Sequence, residues 1–459
     1  MSLMWIHTPL SDKSPARSAL AVLLLLIYGF IVVLPVLAAF LISPIEYSPG
    51  LIYLLGQVLA LTAVPVLALQ PVLSARLKIA DRVFGLDRIY RFHKIMAQVA
   101  GVFILIHPIL LAAGSGNWPL LFSLEQKWYI LTGKAALFLA VILIISSLFH
   151  KAMKLGYEKW RWSHNLLALL ILPGIVIHSL WAGVHLKNPA LFSIWILLLA
   201  IALLAYLYHK LIGPIVRKKR AFRVDAVHRE SHSVYTVEMT ARKAAGKTRS
   251  FEHLPGQFQF LTFYRGRGLP VEEHPFTISS SPRELDRHGS TIKESGDFTS
   301  TIGLTRPSDR VAVQAPFGRF SYVLHPDEKE FVFIAGGIGI TPLMSMLRHM
   351  RDTGRTCRVL LLYGNKTERD MVFREELERM QARGTPGLKV VHVLEQAGTR
   401  WPGETGLITP ELVRRKTSGR PQDWAYYVCG PSAMMKIIIP ALRELGVSSR
   451  RIHSERFSL

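Results

Sequence analysis

Cysteine is scarce in this sequence, with only Cys357 and Cys429 among 459 residues. That number excludes a disulfide framework, a four-cysteine iron–sulfur cluster and a cysteine-rich structural zinc site. Acidic residues are also few, 32 against 55 Lys and Arg, so the net charge is +23. Because no aromatic–basic module accompanies the excess, we do not expect nucleic acid as a partner and assign the charge to topology and lipid headgroups.

The part of the chain after residue 213 has almost no long apolar runs, whereas the part before it has six. A run of about 20 apolar residues is long enough to cross a hydrocarbon core. The first run is too long for a signal peptide and lacks a convincing cleavage site, so we expect it to remain as an anchor. The six predicted spans lie near residues 18–42, 50–73, 92–114, 129–149, 163–184 and 190–212.

The basic residues of this half indicate an orientation. With six spans, only Lys127, Lys134 and Lys187 fall on one side, and all other Lys and Arg residues up to 220 fall on the opposite side. The positive-inside rule assigns the richer side to the cytoplasm. Both termini are therefore predicted to be cytoplasmic.

From residue 222 onward the composition is that of a soluble protein. Residues 222–325 alternate apolar and polar over short runs broken by Gly and Pro, which predicts a small antiparallel barrel. Residues 330–459 alternate strands with helical stretches, which predicts a parallel sheet with helices on both faces. The predicted fold is a multidomain membrane protein with these parts: a cytoplasmic N-terminus (1–17), a six-helix transmembrane bundle (18–213), a basic linker (214–221), the β-barrel (222–328) and the α/β domain (329–459).

Four histidines stand out in the apolar half. His93 and His107 belong to the third span, His164 and His178 to the fifth, and each pair is separated by 14 residues. Fourteen residues are nearly four helical turns, so each pair lies on one helix face, roughly 21 Å apart along the axis. The two spans run in the same direction, which places His93 level with His164 and His107 level with His178.

Two facing imidazoles at one depth are what a six-coordinate haem iron needs, so the four histidines predict two haems stacked across the bilayer. The alternative is that they are buried polar residues paired by hydrogen bonds. A single intramembrane histidine favours that alternative. Four histidines with matching spacing favour haem ligation, because each polar group in hydrocarbon is costly.

The soluble half contains three segments with nucleotide-binding character. A hydroxyl beside an aromatic wall suits a flavin ring and ribityl chain, and a glycine-opened helix start suits a pyrophosphate. A glycine-rich loop between an apolar strand and a helix lets the backbone approach a phosphate closely. The three segments are His274-Pro275-Phe276-Thr277, Gly296-Asp297-Phe298-Thr299 and Ala335-Gly336-Gly337-Ile338-Gly339-Ile340-Thr341-Pro342.

Taken in order, the segments "HPFTISS", "IKESGDFTS", "GGIGITP" and "VCGPSAMM" resemble the ferredoxin-NADP reductase superfamily. With six preceding spans that include "RFHKIMAQ" and "LIHP", the chain resembles the membrane branch of that superfamily, the ferric reductases and NADPH oxidases. The resemblance runs from about residue 20 to residue 459.

The resemblance implies a role for each matching position. His274, Pro275, Phe276 and Thr277 would line the flavin, and Gly296, Asp297, Phe298 and Thr299 would hold the FAD pyrophosphate. Gly336, Gly337, Gly339, Thr341 and Pro342 would hold the NAD(P) phosphates. Cys429, Gly430 and Pro431 would lie beside the nicotinamide. Phe457 would cover the flavin face. Family members often end on this aromatic residue, whereas here Ser458 and Leu459 follow it. An alternative for Phe457 is simple packing into the barrel.

The implied function is transmembrane oxidoreduction in a bacterial inner membrane. Electrons from cytosolic NAD(P)H would pass through FAD and two b-type haems to an outer acceptor, either O₂ giving superoxide or a ferric chelate. Lys366 and Arg369 follow the second strand of the α/β domain, where a 2′-phosphate needs cationic donors, so NADPH is favoured over NADH. The alternative is that the two residues are simply a solvated run of charge. Two alternatives stay open: electron donation to a periplasmic partner protein, and a proton or ion conduit that uses the same histidines.

Overall fold

The computed structural model describes residues 11, 14–42, 50–150, 152–183, 185–241, 243–244, 247–248, 251–266, 268–284 and 287–456. These residues form two compact units. The helical unit comprises Ser18–Leu77 and Asp87–Ile212. The C-terminal unit comprises the described parts of Met1–Arg17, Lys78–Leu86 and Gly213–Leu459.

The described residues of the first half of the chain are mostly helical, and they include six helices long and apolar enough to cross a membrane, as predicted. Many of their leucine and phenylalanine side chains face outward, for example Leu41 and Phe138. A helix that is apolar all round suits lipid rather than water. The helices are α1 Pro15–Ile42, α2 Leu51–Ser74, α3 Lys78–Phe84, α4 Leu86–Ser115, α5 Pro119–Phe122, α6 Trp128–Phe149, α7 Tyr157–Ala182, α8 Pro189–Leu207, followed by a π-helical turn at Tyr208–Ile212, and α9 Gly213–Lys219.

Small residues allow the membrane helices to pack closely in pairs. A Cβ atom at Gly114 of α4 would come within 2.5 Å of the Tyr53 backbone on α2. A Cβ atom at Gly174 of α7 would lie 3.1 Å from Cβ of Ala136 on α6. Close approach through small residues is the usual way in which membrane helices associate. It places α2 beside α4 and α6 beside α7, the arrangement on which the histidine sites depend.

The first domain of the C-terminal unit is an antiparallel barrel, as predicted. Its six-stranded sheet has the order β6-β5-β8-β1-β2-β7. The two edge strands meet where Ser290 Oγ donates to the Thr277 carbonyl at 2.8 Å, which closes the barrel. The strands are β1 Phe222–Ser231, β2 Val234–Thr240, β5 Phe258–Tyr264, β6 Glu273–Thr277, β7 Arg287–Lys293 and β8 Arg310–Phe317, with a separate two-stranded hairpin of β3 Lys243–Ala244 and β4 Lys247–Thr248.

The second domain is a parallel sheet of order β12-β11-β10-β9-β13-β14, also as predicted. Alternate residues of its central strands face opposite sides. Phe333 packs with α10 and α11 on one face, and Ile334 packs with α12 and α13 on the other. The elements are β9 Glu330–Gly336, α10 Ile340–Asp352, β10 Arg358–Asn365, α11 Arg374–Arg383, β11 Gly387–Leu394, β12 Glu404–Thr405, α12 Pro410–Lys416, β13 Ala425–Cys429, α13 Ser432–Glu444 and β14 Ile452–Glu455.

The short helix α3 is part of the C-terminal unit, although it lies between the second and third predicted spans. Nζ of Lys78 lies 3.4 Å from the centre of the Phe317 ring and donates to the Pro316 carbonyl. The carboxylate of Asp81 accepts a hydrogen bond from the Gly318 backbone N–H at 3.3 Å. Burial raises the pKa of Asp81 to about 6, opposed in part by the Lys78 charge. Helix α3 is therefore packed on the end of strand β8.

Candidate functional sites

The four membrane histidines lie on α4 and α7 of the helical unit. His93 and His164 were expected at the starts of their spans, but α4 begins at Leu86 and α7 at Tyr157, so each lies two turns inside its helix. The preceding polar residues continue the helices beyond the apolar runs. His164 interacts electrostatically with His93, and His107 with His178. The structure thus brings together the two pairs that the spacing predicts.

Each of these histidines faces a group on a neighbouring helix. Those of α4 face backbone carbonyls of α2. His107 Nδ1 donates to Gly56 at 2.8 Å, whereas His93 lies near the Gln70 carbonyl and its buried Nδ1 has no hydrogen-bond partner among the described residues. Those of α7 face α6. His178 Nδ1 donates to the Tyr129 carbonyl at 2.9 Å, and His164 Nδ1 lies 3.3 Å from Ser147 Oγ.

These contacts settle the tautomer of two rings. A carbonyl oxygen only accepts hydrogen bonds, so Nδ1 of His107 and of His178 must carry the hydrogen. In the neutral imidazole, Nε2 then keeps its lone pair free for a metal. A histidine whose Nδ1–H is held by a backbone carbonyl is the arrangement that metal-binding histidines usually show. The residues present therefore fit an iron porphyrin, whose iron His107 and His178 would hold through Nε2.

Sequence reasoning missed Gly133 of α6. A Cβ atom at this position would lie 2.5 Å from Nδ1 of His178. Glycine is needed here because any side chain would displace the imidazole. An isolated glycine in an apolar run gives little signal, because its importance depends on a residue 45 positions away.

The two predicted flavin segments meet in the barrel. His274 and Phe276 lie on β6, and the ring of His274 stacks on Phe298 at 4.4 Å. Nε2 of His274 also contacts a Glu272 carboxylate oxygen at 2.8 Å. Thr277 is buried, whereas Gly296 and Asp297 are exposed. The stacked rings hold both segments on one side of the barrel.

We expected a helix to start at Gly296, but the helix starts at Thr299 and is of the 3₁₀ type. The segment forms a six-residue 3₁₀ helix, Thr299–Leu304, which Pro307 follows closely and prevents from continuing. The hydroxyl of Thr299 accepts hydrogen bonds from the backbone N–H groups of Ser295 at 2.9 Å and Gly296 at 3.0 Å. The Gly296 N–H, which was expected to face a phosphate, therefore already has an acceptor, as does the N–H of Ser295. A short 3₁₀ helix also contributes little dipole.

Arg265 was also missed by sequence reasoning. This side chain is buried, with only 2% of its surface exposed. It donates to the carbonyl of Thr301 at 2.7 Å and to the Thr301 hydroxyl at 2.8 Å. Its guanidinium carbon lies 5.1 Å from the centre of the Phe298 ring. Arg265 thus fixes both the 3₁₀ helix and the aromatic residue before it.

The glycine-rich loop follows β9 at the carboxyl edge of the parallel sheet. A Cβ atom at Gly339 would lie 2.2 Å from the Cys429 carbonyl oxygen, and one at Gly336 would lie 2.6 Å from Pro431 Cδ. These two glycines therefore serve the packing of the two loops against each other. Gly337, with φ +53° and no atom within 4 Å of its Cβ position, is the glycine that faces open space.

The other predicted nucleotide residues differ in exposure. Thr341 and Pro342 are buried at the start of α10, where Thr341 Oγ donates to the Ile338 carbonyl at 3.0 Å. Cys429 is fully buried, and burial raises the pKa of its thiol well above the usual range, with a further contribution from Glu455. The Cys429 thiol is therefore neutral at physiological pH. The adjoining Gly430 is half-buried.

The two predicted 2′-phosphate donors, Lys366 and Arg369, are both exposed just after the end of β10. Thr367 lies between the two cations and Asp370 follows Arg369. The side chain of each accepts a hydrogen bond from the backbone N–H of the other. This turn holds the two cations at the carboxyl edge of the sheet, where dinucleotides bind in such folds. Pro431 is exposed at the same edge. Phe457 lies outside the described residues.

Comparisons with known proteins match both halves of the chain. The family model "Ferric reductase like transmembrane component" matches residues 57–175, and the model "Oxidoreductase NAD-binding domain" matches residues 333–439. NADH-cytochrome b5 reductase 1 of Candida albicans is 28% identical over 39% of this chain and 66% of its own length. NADH-cytochrome b5 reductase 2 of Debaryomyces hansenii is 31% identical over 32% of this chain and 48% of its own length.

Among solved structures, the FAD/NAD-binding domain of nitric oxide dioxygenase from Vibrio cholerae covers 52% of this chain and 98% of its own, with 22% identity and a TM-score of 0.44. The chain thus spans about half to two thirds of the length of the curated relatives above. With six apolar helices among the described residues before the two sheets, the chain has the fused ferric reductase and ferredoxin-NADP reductase-type architecture: a ferric reductase-like transmembrane domain joined to an FAD/NAD-binding oxidoreductase domain.

Proposed function

We propose that the protein is a transmembrane oxidoreductase that moves electrons from cytosolic NAD(P)H, through FAD and two b-type haems, to an acceptor on the opposite side of the membrane. The observation that carries the proposal is the pair of Nδ1–H groups on His107 and His178, each donating to a carbonyl of another helix. These hydrogen bonds orient both rings and leave Nε2 of each available as an iron ligand.

In this proposal the histidines are the iron ligands, in the pairs His93 with His164 and His107 with His178. When bound, FAD supplies the conversion of a two-electron hydride donor into single electrons, and haem iron supplies one-electron carriers. The chain fixes the imidazole orientations through α2 and α6 and keeps water away with its apolar helices.

The nucleotide sites are proposed at the segments described above. His274, Pro275, Phe276 and Thr277 line the flavin, and the turn from Gly296 to Thr299 holds the pyrophosphate. The backbone N–H groups of Ser295 and Gly296, which now donate to the Thr299 hydroxyl, would be the donors available to that pyrophosphate. Gly337 offers backbone to the NAD(P) phosphates, and the other loop residues, Gly336, Gly339, Thr341 and Pro342, shape that loop.

At the nicotinamide, Cys429 and Gly430–Pro431 are proposed to form one wall, and Phe457 to cover the flavin. The neutral Cys429 thiol suits an apolar contact or weak donor role and not a nucleophilic one. The cytoplasmic side is proposed to carry the NAD(P)H site and both termini, following the excess of Lys and Arg.

The proposed acceptor is O₂ or a ferric chelate, with a periplasmic redox protein as the alternative. Rapid turnover of the purified protein with O₂ alone, or with ferric citrate alone, would identify a small-molecule acceptor. Slow turnover with both would favour a protein acceptor.

The test of haem ligation is a reduced-minus-oxidised spectrum of the purified full chain. We expect a b-type spectrum in the wild type and loss of about half of the haem absorbance in His107→Ala and in His164→Ala, since each removes one of the two histidines that would hold one haem. His185→Ala, which changes a histidine outside α4 and α7, is the control and should keep all of it. Unchanged haem in both ligand variants would contradict the ligand assignment. No haem in the wild type would contradict the whole proposal and favour an ion conduit.

A further inference from the structure

A cluster of metal-ligating side chains lies in the C-terminal unit outside the cofactor segments. It consists of His325 and Glu328, in the connection between the barrel and β9, and His453 on the last strand, β14. One ligand atom from each of the three lies within 4.8 Å of the other two. The two imidazole rings are 3.9 Å apart, and Nε2 of His453 is 2.9 Å from a Glu328 carboxylate oxygen.

The carboxylate of Glu328 is held in place from several sides. The Tyr427 hydroxyl, on a fully buried side chain, donates to its second oxygen at 2.8 Å. The Glu328 backbone N–H donates to the His325 carbonyl at 3.2 Å, and the Arg355 guanidinium donates to the Glu328 carbonyl at 2.9 Å. One carboxylate oxygen is thus oriented by a buried hydroxyl while the other faces the imidazoles, as is usual for carboxylate metal ligands.

Charge and exposure also favour a cation. The side chains of His453 and Glu328 are 13% and 14% exposed, so the cluster is mostly shielded but still reachable from solvent. The two imidazole rings, whose centres are 3.9 Å apart, lie beside the negative charge of the Glu328 carboxylate. Two imidazoles and one carboxylate form a ligand set that zinc accepts, with one coordination position left for water.

We propose that His325, Glu328 and His453 bind one divalent first-row transition metal ion, with Zn²⁺ as the best match. Bond lengths of about 2.0–2.2 Å place tetrahedral ligand atoms roughly 3.3 Å apart, which small side-chain rotations reach from the present spacing. The ion would tie the last strand, β14, to the segment that connects the barrel with the parallel sheet. The site is separate from the haem, flavin and nucleotide positions proposed above.

The experiment is equilibrium dialysis of the detergent-purified full chain against Zn²⁺ after treatment with a chelator, followed by elemental analysis. We expect His453→Asn and His325→Asn each to lose one equivalent of bound Zn²⁺ relative to the wild type. Tyr427→Phe keeps all three ligands, and we expect roughly 10-fold weaker binding. His232→Asn, an exposed histidine of the barrel, is the matched control and should bind as the wild type does.

Thermal unfolding adds a second readout. Zn²⁺ should raise the melting temperature of the wild type and of His232→Asn, because an ion that binds only the folded state stabilises it. It should not raise that of Glu328→Gln, which preserves side-chain shape but removes the charge. Wild-type Zn²⁺ uptake that persists unchanged in the His325 and His453 variants would overturn the proposal, as would no uptake by the wild type.

Discussion

The imidazole of His178 lies directly against Gly133 of the neighbouring helix, so closely that a Cβ atom there would come within 2.5 Å of Nδ1. The same Nδ1 donates to the carbonyl of Tyr129, one helical turn earlier on α6. Helix α6 therefore supplies both the hydrogen-bond acceptor and the space that the imidazole needs. The orientation of His178 depends on its neighbour as much as on its own helix.

Gly133→Ala should therefore displace His178 while leaving every histidine in the chain. We expect loss of about half of the haem absorbance, since one of the two proposed iron sites loses the orientation of its ligand. Gly29→Ala in α1, where nothing lies within 4 Å of the Cβ position, is the control. Full haem content in Gly133→Ala would show that the imidazole can move without consequence.

Arg265→Gln should weaken FAD binding by roughly 10-fold and lower the melting temperature, because it removes a buried guanidinium that fixes the Thr299–Leu304 turn. Arg265→Lys keeps the charge but not the planar fork, so its effect should be intermediate. Flavin retention after gel filtration and a fluorescence titration with FAD provide the measurement. Arg287→Gln, a largely exposed arginine paired with Glu238, is the comparison and should bind FAD normally.

The choice of dinucleotide can be tested at the two exposed cations after β10. The double variant Lys366→Gln/Arg369→Gln should raise the KM for NADPH by about 10-fold and leave the KM for NADH unchanged, because only NADPH carries a 2′-phosphate. Arg379→Gln on α11 removes an exposed charge of the same domain and should affect neither. Equal changes in both KM values would argue against 2′-phosphate recognition.

Acid should destabilise the barrel through two buried histidines. Burial lowers the pKa of His253 to about 3 and that of His288 to about 4, against about 6.5 in an unfolded chain. Between the folded and unfolded pKa values, the unfolded chain binds more protons than the folded chain. The contribution of these histidines to the free energy of unfolding is therefore complete above pH 6.5 and is lost as the pH is lowered toward 4. His288 alone contributes roughly 3 kcal/mol over that range.

Asp81 acts in the opposite direction, because its raised pKa favours the folded state at lower pH, but its shift is smaller than the two histidine shifts combined. We therefore expect a lower melting temperature at pH 5 than at pH 7 in scanning fluorimetry. His288→Gln should reduce that difference, and the exposed His232→Gln should not. A melting temperature independent of pH would contradict this account.

In the helical unit, the spacing of residues predicted which histidines pair but not what orients them. The 14-residue interval is a property of one helix and can be read locally. The acceptors are backbone carbonyls, which every residue has, so Gly56 and Tyr129 give no signal of their own. Gly56 and Gln70 are themselves 14 residues apart on α2, a regularity that becomes meaningful only when α2 is known to lie beside α4.

In the C-terminal unit, the segments and the order of strands and helices were predictable because each is a local pattern. Arg265 was not, since its role depends on Thr301, 36 residues away. The helix expected at Gly296 became a short 3₁₀ turn because Pro307 ends it. Gly336 and Gly339 were assigned to phosphate approach, but their contacts with Pro431 and Cys429 arise from two distant loops that meet only in the folded sheet.

Helix α3 has a practical consequence for dissecting this protein. A fragment that starts at Gly213 would lack Lys78 and Asp81, leaving the Phe317 ring uncovered and the Gly318 N–H without its carboxylate. Separate expression of the C-terminal unit thus calls for a graft of the 78–86 segment, because the two units alternate along the chain and cannot be divided at one peptide bond.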